Sequence, residues 1–542
     1  MPENDIYLIS LETGGNQAYI FATNKLRNIV GASELLYRVG TSYVTRALEK
    51  IKAQGKYDTA IEENSDQEFE IIISTSGKAL LLARARDRAK EFITAWSSIV
   101  ISEAPGVDAV AVVSKTPVDL TLKLDDKSQN SYMKVFKETE RQMSLLRMQE
   151  GLPLTRFQRL PLAAECEFSG LSAVEIDNKN HLLSASCAAQ RRASLDDSFN
   201  KRIINMFPNE KSAVKCLNGL DSLDKLDWLA VIHADGNGLG QLFINFADHV
   251  KNLVGDGNAN GRHYIDYYRK FSKALDEISA DAFKVAVWDC WGHGKPYIVP
   301  IVVGGDDLTV AMDGYDSIDF VYSFMNKFCS MTAEHPDTSP ILESANMPQL
   351  GMCAGISIAK PHFPFYQSYH MAEELMNNAK LVKTKFGPDS IAFDFHILYD
   401  SISSSISDIR DKLKLEGRTL TEKPYVILEG NTATAPEDAE WRLSHKFWKF
   451  KVAVNAVKEL PSSQAHAVRD ALFTEKRETQ ESEWQFLLSS YPKFAEEWKK
   501  VQAGSKLYNN ISNTDFVTCY LDALEAMKFW KDMEKGEQQN NV

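Results

Sequence analysis

Nowhere in these 542 residues do about 18 apolar residues follow one another, so no membrane-spanning helix is expected. The amino terminus, MPENDIYLISLE, has neither the basic flank nor the apolar run of a secretory signal. Positive charge is in deficit. Against 74 Asp and Glu stand 61 Lys and Arg, a net charge of −13 that argues against coating nucleic acid by bulk electrostatics and leaves only a local basic groove open. Cysteine is sparse as well: seven residues (166, 187, 216, 290, 329, 353, 519), none paired as CxxC. That pattern suits a reducing cytoplasm and offers no complete structural zinc site. What remains is ordinary globular composition, 44% hydrophobic and 25% charged, in a chain long enough for two to four domains. A cytoplasmic protein without membrane attachment is the expectation.

The most informative stretch is Tyr297 to Met312, YIVPIVVGGDDLTVAM. Apolar runs flank a Gly304-Gly305-Asp306-Asp307 turn without helical periodicity, which predicts two strands in a tight hairpin. The glycines let the backbone reverse and a ligand approach closely. Two adjacent carboxylates at the tip of a buried hairpin are costly unless compensated, and hard divalent cations would compensate them. A plain turn capped by its Asp residues is the competing reading.

Taken in order, residues 5–12 alternate as a strand, a glycine-rich turn follows, and a long helical pattern runs through Leu26 to Leu48. EFEIIIS (68–74) and Ala79 to Ala83 form a strand pair around Thr75-Ser76-Gly77-Lys78, Arg84 to Val100 is helical, and VDAVAVV (107–113) is a strand. This β-α-β-β-α-β order is ferredoxin-like, the arrangement of palm domains. It recurs in DWLAVIHA (227–234), a helix through about 262–285, the GGDD hairpin, a helix from Tyr315 to Met331, and the strand MCAGISIA (352–359). A helix from Tyr369 to Lys385 and the strand SIAFDFH (390–396) complete the copy. The fold class is therefore read as α+β: two palm domains, of which the second is catalytic, and an all-helical C-terminal domain. The predicted boundaries are 1–160 for a degenerate first palm, 161–222 for a linker or small domain, 223–400 for the catalytic palm, and 401–542 for a serine-rich linker and the helical domain. Cys166 and Cys187 in the small domain look like the remnant of a metal knuckle, but two thiols cannot close a four-ligand zinc site.

In the second copy Asp235, ending its first strand, and Asp306 and Asp307, at the hairpin, fall on neighbouring central strands about 5 Å apart. Such carboxylates suit two Mg²⁺ or Mn²⁺ ions clamping a phosphoryl group. The loop Gly236-Asn237-Gly238-Leu239-Gly240 predicts free amides at a helix start for a triphosphate. Gly304 and Gly305 leave room for the nucleotide, and Lys380 and Lys383 are placed to reach its phosphates. The first copy has no such set: its hairpin carries no acid, and only Glu12 remains near its first strand's end.

These residues resemble a known family. HADGNGLG (233–240), VVGGDDLTV (302–310), CAGISIAK (353–360) and AEELMNNAK (372–380) are similar to the second palm of the large subunit of type III CRISPR effector complexes, a relative of GGDEF-type and adenylyl cyclases. ETGGNQAYIFATNKLRNIVGASELL (12–36) resembles that family's first palm, and TEKPY (421–425) fits its domain order. The resemblance implies a nucleotidyltransferase that joins ATP into cyclic oligoadenylate or a cyclic dinucleotide, an antiviral second messenger. It implies Asp235, Asp306 and Asp307 as catalytic residues, and Asp235, Gly236, Asp306 and Asp307 as metal ligands. The implied partners are ATP, other CRISPR-type subunits with guide or target RNA, and a messenger-binding effector. Three departures are expected to matter: no N-terminal HD nuclease domain, zinc cysteines reduced to two, and a compact chain. Phe243 stands where GGDEF cyclases read guanine with Asn, which disfavours a diguanylate product. The alternative is a non-catalytic nucleotide- or RNA-binding scaffold. Trp441, Trp448, Trp484, Trp498 and Trp530 exceed what a small helical core obviously needs, which makes the C-terminal domain a candidate gate.

Overall fold

The alternating and β-branched runs of the first hundred residues do form strands. They are β1 (Ile6–Gly14), β2 (Phe69–Thr75), β3 (Lys78–Arg84) and β4 (Asp108–Val113), in a sheet ordered β2-β3-β1-β4. All neighbours are antiparallel. The computed structural model describes residues 5–149, 162–196, 226–255, 257–292, 297–399, 405–415, 417–431, 439–474, 476–511 and 515–530. The predicted segment 197–222 and the C-terminal tail after Trp530 lie outside the described residues, as does the first half of SISSSISD. The chain divides into two compact units: Met1–Val214 with Gly240–Glu277 and His335–Asn346, and Lys215–Leu239 with Ile278–Glu334 and Met347–Val542.

In the first unit the helices Leu26–Gly40 and Arg86–Glu103 pack on the sheet through Ile29, Val30, Leu36, Phe92 and Trp96, all buried. Between β2 and the first part of the helix Gly261–Trp291, the fully buried Glu70 is held by Arg262 (2.7 Å) and Arg269. Burial opposes its charge, but the two guanidiniums outweigh that and pull the carboxyl below its usual range. A short hairpin, β5 (Glu175–Ile176) and β6 (Leu182–Leu183), precedes the helix Ala185–Leu195, which packs on Leu26–Gly40. Gly31 makes that crossing possible: a Cβ there would lie 1.7 Å from the Gln190 carbonyl oxygen.

The second unit is built on six strands: β7 (Leu229–Asn237), β8 (Ile298–Gly304), β9 (Asp307–Asp313), β10 (Gly351–Ala359), β11 (Ile391–Leu398) and one contributed later in the chain. Within it β8-β9-β7-β10 repeats the order and antiparallel directions of β2-β3-β1-β4. β11 adds parallel to β10, and the helix Phe365–Lys380 lies across β7, β10 and β11. Every residue of β10 is buried, as its uninterrupted apolar run requires.

Two expectations for the C-terminal third are corrected. Residues 401–422 are not simply a linker: Ser405 and Asp408 form a capping box that starts the helix Ile406–Lys412. The rest is not all-helical either. Two-residue strands β12 (Lys414–Leu415), β13 (Arg418–Thr419), β15 (Asn509–Asn510) and β16 (Phe516–Val517) form a small sheet, and β14 (Tyr425–Leu428) is the missing edge strand of the six-stranded sheet. Pairs such as Arg418 with Phe516 carry no local periodicity, so a pattern reading does not register them. The tryptophans are not surplus. Trp484, Trp498 and Trp530 are buried, and Trp441 packs on Phe386; only Trp448 is largely exposed. The motif residues Thr421, Glu422 and Tyr425 converge on one buried carboxylate, Asp522, at 3.1, 2.8 and 2.7 Å. Among the described residues no helix is long and apolar enough to cross a membrane.

Candidate active site

The hairpin between β8 and β9 closes through Gly305 and Asp306, with Gly304 paired to Asp307. Of the two glycines only Gly305 has a left-handed backbone, φ 60°, and its carbonyl accepts the Ser279 hydroxyl. β7 runs antiparallel to β9, so the register Ala234–Leu308 sets Asp235 opposite Asp307 and Gly236 opposite Asp306. Gly236 is required there: a Cβ would lie 2.6 Å from that of Asp306. The gap this leaves lets the Asp306 side chain fold over β7.

The sheet thus brings Asp235, Asp306 and Asp307 together, with one carboxylate oxygen from each within 4.8 Å of the others. No other group of three His, Cys, Asp or Glu ligands comes so close among the described residues. Desolvation first, and then the Asp235 charge, push Asp306 up to about 6. Asp307 keeps an edge in solvent but is crowded by protein elsewhere. Desolvation, a hydrogen bond to Asp235 and the Asp306 charge hold it well above the ordinary carboxyl range. The cluster therefore retains a proton when only Lys380 opposes it, its ammonium donating to Asp235. Hard oxygen donors, crowded and short of positive charge, fit Mg²⁺ or Mn²⁺.

Titration gives the site a pH signature. Asp306 binds its proton more tightly folded than unfolded, so the metal-free protein loses stability as pH rises from about 4 through 6. Metal binding needs the ionised form and strengthens over the same window. Calorimetric titration with Mn²⁺ should show affinity rising roughly tenfold or more between about pH 5.5 and about 7.5. A flat profile would place the metal elsewhere.

The other predicted residues are distributed unevenly. β7 continues two residues past Asp235, and Gly236 and Asn237 pair with Met352 and Gly351, so neither belongs to a loop. This corrects the predicted amide-lined loop. Asn237 is fully buried and spends its amide nitrogen on the Ser390 carbonyl (3.0 Å) and Cys353 (3.3 Å), a packing role. Gly238 turns the chain with φ 81°, and Leu239–Ile244 is a helix of only six residues. Gly240 faces open space. Lys380 stands at the site; Lys383 begins the next short helix, and its charge and that of Lys380 are felt at Cys353.

Two residues that the motif reading passed over support the cluster. His233, two positions before Asp235 on β7, bonds Thr309 on β9 at 3.0 Å and is buried beside Tyr369. Burial lowers its pKa, so it stays neutral and ties the two acid-bearing strands together. Asn378, on the Lys380 helix, donates to Asp394 at 2.6 Å, and Arg410 reaches the other oxygen of that buried carboxylate at 2.5 Å. Spacing of HxD was the signal available for His233; nothing local links Asp394 to Arg410.

The first sheet shows what the same junction looks like without acids at its hairpin. Glu12 on β1 faces Lys78 on β3, the register held by Asp235 and Asp307 in the second. Burial works against the Lys78 charge, but Tyr268, Glu140 and Glu12 carry its pKa above the ordinary value. The steric roles are exchanged too. Here the hairpin residue is the glycine, Gly77, whose added Cβ would meet Thr13 Oγ1 at 2.3 Å. An ammonium stands where the second sheet has a carboxylate, which leaves no place for a cation.

Residues 228–392 match the family model described as Cas10/Cmr2, second palm domain. Over that segment the chain is similar to the second palm domain of Cas10/Cmr2, in agreement with the resemblance carried by its motifs. No curated protein sequence matches. Among solved structures the chain is similar to that of a Csm1–Csm4 cassette in complex with cA4, at 12% identity over 72% of this chain and 54% of that one, TM-score 0.40. A Csm1–Csm4 cassette in complex with one ATP gives 12% identity, 72% and 55% coverage and TM-score 0.39. Csm1 in T. onnurineus gives 11% identity, 97% and 70% coverage and TM-score 0.39. The chain spans about half the length (54%) of the cassette chain it matches.

Proposed function

We propose that the chain is a palm-domain nucleotidyltransferase that joins ATP into a cyclic oligonucleotide messenger, cyclic oligoadenylate by preference, in a cytoplasmic type III CRISPR defence system. The observation that carries this reading is the convergence of Asp235, Asp306 and Asp307 at one hairpin with a single lysine among them. A scaffold that only held nucleotide would have no use for three crowded carboxylates, two of which, Asp306 and Asp307, are pushed above the ordinary carboxyl range. In this reading the second sheet is the catalytic palm, the first is its non-catalytic partner, and the C-terminal region completes a CRISPR-type subunit that meets other subunits and RNA. A messenger-binding effector would consume the product.

Asp235, Asp306 and Asp307, with the backbone of Gly236 beside them, are the residues that would hold Mg²⁺ or Mn²⁺. Bound there, two such ions supply Lewis-acid activation of a ribose 3′-hydroxyl and charge neutralisation at the leaving pyrophosphate. The chain's own part is placement. Gly236 and Gly305 keep side chains away from the reacting phosphate, and His233–Thr309 locks β7 to β9. Lys380 is paired with Asp235 in the metal-free state; with that carboxylate engaged elsewhere, its ammonium is free for a phosphate oxygen. Gly238, Leu239, Gly240 and Lys383 remain the candidate nucleotide contacts.

Purified protein with Mn²⁺ or Mg²⁺ and each NTP in turn, followed by mass spectrometry, tests the proposal. The expected outcome is pyrophosphate release with ATP and 3′–5′ adenylate rings or their linear precursors. ATP binding without any pyrophosphate, in the presence and absence of partner subunits and RNA, would instead establish the scaffold reading.

A further inference from the structure

The two cysteines of the small β5–β6 region carry more than the motif search credited. Read with their neighbours they form C-x₂-S (Cys166, Ser169) and S-x₂-C (Ser184, Cys187). That is the spacing of a C-x₂-C…C-x₂-C zinc knuckle with two thiols exchanged for hydroxyls. The structure brings all four positions to one point. Ser169 Oγ and Ser184 Oγ lie 3.0 Å apart, and Cys166 and Cys187 share a small buried core with Leu183 and Ala188. The two sulfurs and the Ser169 hydroxyl lie close enough to act on one another electrostatically, as does the Ser184 hydroxyl on the Cys187 sulfur. The backbone around them is also that of a knuckle. The amides of Phe168, Ser169 and Ser184 point at the Cys166 sulfur, the kind of donor set that supports a metal-bound thiolate. The turn closes through Gly170 N–H to the Cys166 carbonyl at 3.0 Å, and Ser184 caps the helix Ala185–Leu195 by accepting the Cys187 amide at 3.3 Å.

Zinc does not fit this quartet. It needs four donors with deprotonated thiols, and among the described residues no third His, Cys, Asp or Glu reaches the pair. A serine hydroxyl is neutral and already engaged with its opposite number. Burial pushes the Cys187 thiol up, so at neutral pH it is a thiol. The neighbouring charges do not help: His181 is turned to Asp177, which also takes Arg191.

We infer that residues 166–187 are a zinc-knuckle backbone that holds its shape without metal, closed by hydrogen bonds among Cys166, Ser169, Ser184 and Cys187, and that Ser169 and Ser184 alone decide against zinc. The arrangement has a structural purpose. The helix it starts carries Gln190, which meets Asn28 at 3.2 Å and fits against Gly31 on the helix following β1. The knuckle therefore braces the first sheet's leading helix in a cell whether or not zinc is plentiful.

The test uses the full chain and needs no activity. After incubation with Zn²⁺ and gel filtration, wild type should retain no zinc by native mass spectrometry, and a strong chelator should leave its melting temperature unchanged. The S169C/S184C variant should retain one zinc per chain, with a melting temperature that the chelator lowers. Wild type that keeps one zinc per chain, lost on C166S/C187S substitution, would overturn the inference. So would a folded S169C/S184C variant that binds none. Should that variant misfold, Ser184→Cys alone, titrated with Co²⁺, should develop the visible bands of tetrahedral thiolate coordination. Their absence from a folded protein counts against the inference equally.

Discussion

Replacing Asp306 and Asp307 together by alanine should remove the proposed nucleotidyl transfer and leave the protein as stable as before or more so. Activity should fall by at least about 10²- to 10³-fold, the scale set by losing preorganised charge stabilisation at a phosphoryl centre. The stability half of the prediction follows from the site's own electrostatics. Metal-free, Asp306 is raised to about 6 and Asp307 is held well above the ordinary carboxyl range, so ionising them at neutral pH costs folding free energy that alanine does not incur. Thermal unfolding without metal should show an unchanged or higher midpoint, and the stabilisation that Mn²⁺ gives wild type should disappear. Turnover within tenfold of wild type would remove the cluster from the chemistry. A large drop in the metal-free midpoint would make it a structural feature.

Arg410→Ala is expected to be the most damaging single change to the fold. Asp394 is wholly buried on β11, and its carboxylate is satisfied by Arg410 at 2.5 Å, Asn378 at 2.6 Å and the Phe395 amide at 2.7 Å. Removing the guanidinium leaves a buried charge without its counter-ion, a loss of about 3–5 kcal/mol. Denaturant unfolding measures it directly. Because Asn378 lies on the helix that carries Lys380, the variant should also weaken Mn²⁺ binding through a displaced lysine. Unchanged stability would mean that the helix Ile406–Lys412 is an appendage rather than part of the unit. The same reasoning bears on truncation near residue 400, which would remove both this arginine and the edge strand β14.

Much of the second unit could be read from the chain because its signals are local. The apolar runs on either side of GGDD, the apolar run leading to Asp235 and the uninterrupted MCAGISIA strand each mark their element within a dozen residues. The repeat of β-α-β-β-α-β order was visible for the same reason. Strand alternation dictates which side chains share a face, so the meeting of three carboxylates followed from the order of elements alone. Tertiary structure decided the remainder. Asn237 looked like a loop residue beside a phosphate and is an interior hydrogen-bond donor, because β10 extends the pairing of β7 past Asp235. Arg410 looked like linker charge and neutralises Asp394, and Arg418 pairs across to Phe516. Ser169 and Ser184 stand at knuckle spacing from Cys166 and Cys187, but only the fold set the two hydroxyls 3.0 Å apart. In each case the deciding partner is distant in sequence, and hydrogen-bond and charge compensation, unlike hydrophobic periodicity, leaves no mark on the residues in between.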